Sequence, residues 1–237
     1  MLEFQNVSYK ADDGYEILDD ISFKIGSGFV AITGPNGSGK STVARLISGI
    51  IKPTSGRILF GGGDITQSSV TDRAKMGISF GFQQPVRFKG ITVYDLLTLA
   101  AGKDLTERDA CKYLSAVGLC AKDYIDREAN ASLSGGELKR IEIAMIVARS
   151  TVFSVFDEPE AGIDLWSFNN LISIFKKLYD DTKGSVVIIS HQERILKQAE
   201  RIIVIADGRI QADGEGREVF KELTNPYGCR FYKGGAE

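Results

Sequence analysis

Residues Gly34 to Thr42 read G-P-N-G-S-G-K-S-T, the one stretch of this chain whose residue types together dictate a chemistry. Gly34, Gly37 and Gly39 free the backbone for conformations closed to other residues, so successive amide N–H groups can turn into one anion-sized hollow. Phe29 to Thr33 (F-V-A-I-T) read as a buried strand before the loop. Lys40 to Gly49 read as a helix after it, which adds a helix N-terminus to the hollow. The stretch is a phosphate cradle.

Strand, loop and helix in that order make G-x-x-x-x-G-K-[ST] a P-loop pattern. Lys40 is expected at the β- and γ-phosphates of a nucleoside triphosphate and the Ser41 hydroxyl on Mg²⁺. All nine residues (Gly34, Pro35, Asn36, Gly37, Ser38, Gly39, Lys40, Ser41 and Thr42) are expected to bind the nucleotide. A nucleotide triphosphatase follows.

The 237 residues suffice for one α/β domain with a subdomain, or for two small domains, and 43% hydrophobic content marks a globular chain. A formal net charge of −2 with scattered basic residues gives no electrostatic reason to expect nucleic acid or an anionic membrane surface as the main partner. No apolar run approaches the roughly 20 residues needed to span a bilayer, so no direct membrane insertion is expected. The start M-L-E-F-Q-N lacks the basic and apolar regions of a signal peptide, and a cytoplasmic location is expected. Cys111, Cys120 and Cys229 show no C-x-x-C or Cys/His ligand spacing, and the single histidine, His191, is far from all of them in sequence. They read as incidental thiols in a reducing compartment, with a transient thiol role left open for Cys229.

Leu2 to Tyr9 and Glu16 to Ile25 alternate apolar residues around the turn-like Ala11 to Gly14, an expected antiparallel pair. Past the cradle, R-I-L-F after Pro53 to Gly56 is a further strand, broken by Gly61 to Gly63, and Gly77 to Phe82 is another, ending at Gln83, Gln84 and Pro85. From Ile91 to Ala148 the pattern is helical: Val93 to Ala101, Glu107 to Val117 and Gly136 to Ala148. A helical subdomain at 91–149 is thus expected inside a core of 1–90 and 150–237. Strands at Thr151 to Phe156, Ser185 to Ser190, Arg201 to Ala206 and Arg209 to Ala212 are expected to complete the sheet. An amphipathic helix carrying Phe168, Leu171, Ile172, Phe175 and Leu178 lies among them.

Asp157 follows an apolar strand, at the edge where parallel α/β sheets bind ligands, and is the expected Mg²⁺ carboxylate opposite Ser41. Adjacent strand residues point opposite ways, so Glu158 is free for a different role, at the attacking water. Gln83 and His191 both terminate expected strands and are candidates to polarise the γ-phosphate or order the water.

At L-S-G-G-E, Leu133 to Glu137, the chain resembles the ABC-type ATPases, whose other motifs stand here in order. These are Gly34 to Thr42 as Walker A, Gln83 as the Q-loop glutamine, Asp157 and Glu158 as Walker B, Ala161 to Asp164 as the D-loop and His191 as the switch histidine. The resemblance implies an ABC ATPase domain with an antiparallel β subdomain and an inserted helical subdomain. It implies Glu158, His191 and Gln83 as catalytic residues, and Ser41, Asp157 and Gln83 around Mg²⁺. It also implies ATP bound between one copy's P-loop and the Ser134, Gly135 and Gly136 of another, hence an ATP-dependent homodimer or a dimer with a paralogue. Tyr9 and Tyr15 are both candidates to stack adenine.

Within that family S-G-G-E-L-K-R-I-E-I (Ser134 to Ile143), F-Q-Q-P-V-R-F-K-G (Phe82 to Gly90) and H-Q-E-R-I-L (His191 to Leu196) are similar to the SufC family, ATPases of the SUF iron–sulfur cluster assembly system. This resemblance implies a soluble SufB/SufD-like scaffold docked beside Phe82 to Gly90. The region E-P-E-A-G-I-D (Glu158 to Asp164) departs from that family's usual E-T-D-S-G-L-D. Two other readings are the ATP-binding subunit of an ABC membrane transporter and a small-molecule phosphotransferase, the latter opposed by L-S-G-G-E.

Overall fold

The computed structural model describes residues 1–162 and 165–224, with the side chains of 165–169 outside the described set. A long antiparallel pair, β1 (Leu2–Lys10) and β2 (Glu16–Ile25), leads into β3 (Gly28–Thr33), the P-loop and α1 (Lys40–Ser48). Next come β4 (Ser55–Phe60), β5 (Gly63–Asp64), α2 (Val70–Lys75) and β6 (Ile78–Gly81). Helices α3 (Val93–Ala101), α4 (Glu107–Ala116), α5 (Ala121–Tyr124) and α6 (Gly135–Arg149) then intervene before β7 (Phe153–Asp157). The chain finishes with α7 (Leu165–Thr182), β8 (Ser185–Ile189), α8 (Glu193–Leu196), β9 (Arg201–Ala206), β10 (Arg209–Glu215) and α9 (Gly216–Thr224).

Two sheets result. One is antiparallel, in the order β2-β1-β4-β5; the other has six strands in the order β10-β9-β3-β8-β7-β6. In the second, β9, β3, β8, β7 and β6 run parallel and β10 returns antiparallel along β9. Its central strands are buried on both faces, so they read as continuous apolar runs rather than alternating ones. Alternation survives in what each face touches. Phe29, Ala31, Phe156, Val186, Ile188, Ile202 and Val204 join one apolar cluster with the α3–α6 insertion and α7. Val30, Ile32, Val155, Val187, Ile189, Ile203 and Ile205 join the other, with α1 and the antiparallel sheet. The helix after the P-loop therefore sits between the two sheets.

Several elements escaped the sequence reading. The Gly61 to Gly63 break is the turn of a hairpin whose return strand, β5, is two residues long. Helix α2 is mostly polar and is set by a capping box in which Ser69 Oγ accepts from Asp72 N and Asp72 Oδ2 accepts from Ser69 N. Helices α5 and α8 have four residues each, too few to show a period, and β10 runs three residues beyond the expected Ala212. Phe168 of the amphipathic helix and Cys229 fall outside the described residues or side chains.

On α2, Arg73 is fully buried. Its Nη1 donates to Leu46 O (2.5 Å) and Ile47 O (2.9 Å), and its Nη2 to Ile65 O (2.6 Å) and Thr66 O (3.1 Å). The guanidinium so caps the last turn of α1 and ties it to the chain after β5. Burial pushes its pKa down to about 10, with the Asp64 charge acting the other way. Arg73→Met fills similar space but leaves these carbonyls without their donor. Each buried polar group left unsatisfied costs about 1–3 kcal/mol, so we expect a loss of about 3 kcal/mol in urea denaturation. A loss below about 1 kcal/mol would show that water replaces the guanidinium there.

Candidate active site

The P-loop leaves β3 and enters α1 with Gly34, Gly37 and Gly39 at φ +146°, +79° and +97°. A Cβ on Gly34 would collide with the Ile205 carbonyl of β9, and one on Gly39 would come within 2.5 Å of Leu18 Cδ2 of β2. Glycine at 34 and 39 is thus required by both conformation and contact. Lys40 Nζ curls back over the loop, donating to Gly34 O (2.9 Å) and Pro35 O (2.7 Å). Burial lowers the Lys40 pKa, while the charges of Glu158 and Asp157 oppose that shift. The Ser38 hydroxyl is buried without a hydrogen-bond partner. A cation on neutral carbonyls, an orphaned hydroxyl and a glycine backbone at a helix N-terminus form a donor set that suits a phosphate.

Asp157 is the last residue of β7 and two residues past Val155, so the strand period turns it to the α1 side of the sheet. There Ser41 Oγ donates to Asp157 Oδ1 at 3.1 Å. Burial raises the Asp157 pKa; the Ser41 hydrogen bond opposes this and the Glu158 charge adds to it. Glu158 does not simply take the opposite face, as strand alternation predicts. The strand stops at Asp157, and Glu158 adopts φ +44° while its N–H donates to Ile189 O at 3.0 Å. In that turn its Oε2 accepts from Gln83 Nε2 at 2.8 Å. Gln83 thereby meets Glu158, and Ser41 meets Asp157, as two pairs on neighbouring residues. His191 follows β8 and is exposed, its Nε2 lying 3.4 Å from Gln192 Nε2.

Ser134 is the N-cap of α6, which begins at Gly135, one residue earlier than the sequence reading placed it. Its Oγ accepts from Glu137 N (3.3 Å) and Glu137 Oε2 accepts from Ser134 N (2.6 Å). The other carboxylate oxygen accepts from Tyr124 Oη at 2.5 Å. The Tyr124 bond and then the Ser134 bonds hold the Glu137 pKa down at about 2. Backbone amides of Gly135 and Gly136 precede the first intrahelical bond, from Leu138 N to Ser134 O, and so belong to the unpaired donors of a helix start. Gly136 is also tightly placed: a Cβ there would lie 2.8 Å from Gly162 O. Ile163 and Asp164 of the D-loop stretch lie outside the described residues. Tyr9 packs against the cluster around α1, whereas Tyr15 is 70% exposed.

One part of the site was missed from sequence. Lys139 and Glu142, spaced i,i+3 on α6, take no site role from sequence, yet the Lys139 side chain is 1% exposed. Lys139 Nζ donates to Phe82 O and lies 3.2 Å from Glu142 Oε2, while Glu142 Oε1 accepts from Phe82 N at 2.9 Å. Both backbone polar groups of the residue before Gln83 are therefore held by α6. Only the depth of the helix in the fold, which no local pattern carries, distinguishes this pair from a surface one.

Beside Phe82 an apolar groove of about 450 Å³ is lined by Ile50, Val70, Phe82, Val86, Phe88 and Leu99 among others. Ile50, Val70, Phe82, Val86 and Leu99 are between 40% and 69% exposed, whereas Phe88 packs partly buried against the helical cluster. Among the described residues no helix is long and apolar enough to cross a membrane.

Comparison with known proteins gives consistent matches. Residues 18–161, more than half of the chain, match the family model described as ABC transporter. An uncharacterised ABC transporter ATP-binding protein of Methanocaldococcus jannaschii is 39% identical over 214 residues, covering 86% of this chain and 85% of that protein. The energy-coupling factor transporter ATP-binding protein of Clostridium tetani is 33% identical over 215 residues, covering 87% and 74%. Among solved structures, the dimeric post-hydrolysis state of an ATP-binding cassette bound to ADP and Pi superposes with a TM-score of 0.82 at 24% identity, covering 92% of this chain and 99% of that one.

Proposed function

Because the chain belongs to the ABC transporter family and is its ATP-hydrolysing ATPase domain, we propose that it is the ATP-binding subunit of an ABC transporter, working as an ATP-joined pair on a membrane partner. The observation that carries the partner half of this reading is the groove beside Gln83. Five large apolar side chains face solvent along one depression, a patch that monomeric proteins seldom leave uncovered. A partner helix laid there would touch Phe82, whose backbone α6 clamps and whose neighbour Gln83 bonds the Glu158 carboxylate. Docking and chemistry then share one short segment.

On this reading the residues take the following roles. Lys40 and the glycine amides neutralise the β- and γ-phosphates. Ser41 Oγ and Asp157 Oδ1, already adjacent, suit a hard cation that prefers oxygen, so Mg²⁺ is assigned there; Gln83 belongs to the same set although its amide nitrogen here faces Glu158. Bound at that place, Mg²⁺ would offset phosphate charge. Glu158 takes the proton of the attacking water and His191 polarises the γ-phosphate. Ser134, Gly135 and Gly136 of one copy close the site of the other.

A second reading is kept by a specific observation. The residues that make the signature helix similar to the SufC family include Lys139 and Glu142, and these are the two that hold Phe82 at the base of the groove. They would equally suit a soluble SufB/SufD-like scaffold. The named relatives favour the transporter.

Val86→Asp tests the groove and separates the readings. Val86 is 46% exposed, so its replacement does not disturb the core, while burial of a side chain of this size is worth roughly 1.5–3 kcal/mol at an interface. We expect affinity purification from native extract, with membrane and soluble fractions kept apart, to recover an integral membrane protein with the tagged wild type. Val86→Asp should lose it and hydrolyse ATP at an unchanged basal rate. Recovery of a soluble cluster-building scaffold instead would overturn the transporter reading in favour of SUF.

A further inference from the structure

The segment after Glu158 contains a second acid, Glu160, that the assigned roles do not use. Its side chain turns into the fold rather than toward solvent. Oε1 accepts a hydrogen bond from Ser190 Oγ, and Oε2 is buried without a partner. Burial raises its pKa, opposed by the Ser190 hydrogen bond.

Ser190 lies between the end of β8 and His191 and is completely buried, its N–H donating to Ile32 O at 3.1 Å. Its hydroxyl has one proton and directs it at Glu160. That fixes the rotor so that a lone pair faces the next donor, Gln192 N, at 3.0 Å. The bonds of Ser190 and Gln192 bracket the backbone of His191, whose own side chain is exposed. At the other end, Ala161 N donates to Glu158 O at 3.0 Å, so one tight turn carries both Glu158 and Glu160. The carboxyl of Glu160 therefore ties the turn that presents Glu158 to the turn that presents His191.

We propose that Glu160 is a positioning residue for ATP hydrolysis: through the Ser190 hydroxyl it sets the backbone of His191 relative to Glu158. The proposal rests on the role assigned to His191 above. It needs an acceptor at position 160, not a negative charge. Glu160→Gln keeps an acceptor oxygen for Ser190, whereas Glu160→Met of similar length removes it.

The experiment is steady-state ATP hydrolysis by the full-length chain carrying Glu160→Met, Glu160→Gln or Ser190→Ala, each also combined with His191→Ala. Misplacing a reacting group by about 1 Å costs up to about 10²-fold. We expect kcat of Glu160→Met and Ser190→Ala to fall roughly 10- to 100-fold with KM for ATP within about twofold of wild type, and Glu160→Gln to retain most activity. On the His191→Ala background neither substitution should lower kcat further, because residues acting through one group are not additive. Ser190→Ala removes a single oxygen and carries the test should Glu160→Met fail to fold. Wild-type kcat in Ser190→Ala, or the same fold-loss repeated on the His191→Ala background, would overturn the proposal. A fully active His191→Ala would instead overturn the role of the histidine itself, and this inference with it.

Discussion

Glu158→Gln binds ATP as tightly as the wild type and hydrolyses it about 10²- to 10⁴-fold more slowly, the range lost with a general base. The expectation follows from how Glu158 is held. Its φ of +44° and the bond from its N–H to Ile189 O place it by backbone, not by charge. Gln83 Nε2 donates to Oε2 at 2.8 Å, and an amide oxygen at that position can still accept the bond. The substitution therefore keeps shape and contact and removes the group that takes a proton. None of the cradle residues is touched, so fluorescent-nucleotide titration should give an unchanged Kd while phosphate release collapses. If phosphate release stays within threefold of wild type, another group is the base.

Lys40→Ala and Ser134→Arg are each inactive alone, and their mixture recovers activity. Lys40→Ala removes the one side-chain cation of the cradle, and a lost donor to developing phosphate charge costs about 10²- to 10³-fold. Ser134→Arg removes the hydroxyl that caps Glu137 N and sets a bulky cation at the helix start. A site shared between copies makes the two lesions complementary. In a mixed pair, the intact P-loop of the Ser134→Arg copy faces the intact signature residues of the Lys40→Ala copy. Random pairing of two-fold dimers leaves half of them mixed, each with one whole site, so equal mixing should return up to about a quarter of wild-type activity. A chain that is a complete enzyme alone would return nothing.

Much of this was legible in the sequence, for reasons that differ by residue. The P-loop could be read because its glycines are demanded locally: φ at Gly34, Gly37 and Gly39 is positive, and no distant contact is needed to know it. Asp157 could be read because strand period and burial coincide. Glu158 could not be placed fully, since the left-handed turn that re-aims it begins where the strand period ends. Arg73, Lys139 and Glu142 look like surface charges in sequence and are interior ones in the fold, because their partners are backbone carbonyls and amides far along the chain. Backbone partners leave no pattern of residue types. Glu160 is hidden by distance instead, thirty residues from the serine hydroxyl that explains it. For the partner, two signals disagree. S-G-G-E-L-K-R-I-E-I points toward a soluble scaffold, whereas the named relatives are transporter ATP-binding proteins.

In the proposed pairing two copies of this chain close around ATP, each lending Ser134, Gly135 and Gly136 to the other's P-loop. Its most direct test is the mass of purified Glu158→Gln by light scattering, with and without ATP and Mg²⁺, because the slowed variant holds the nucleotide long enough to be weighed. A shift from the mass of one chain, 25.8 kDa, to twice that value on adding ATP, reversed by Ser134→Arg, is the predicted result. An unchanged mass at saturating ATP would contradict the shared site.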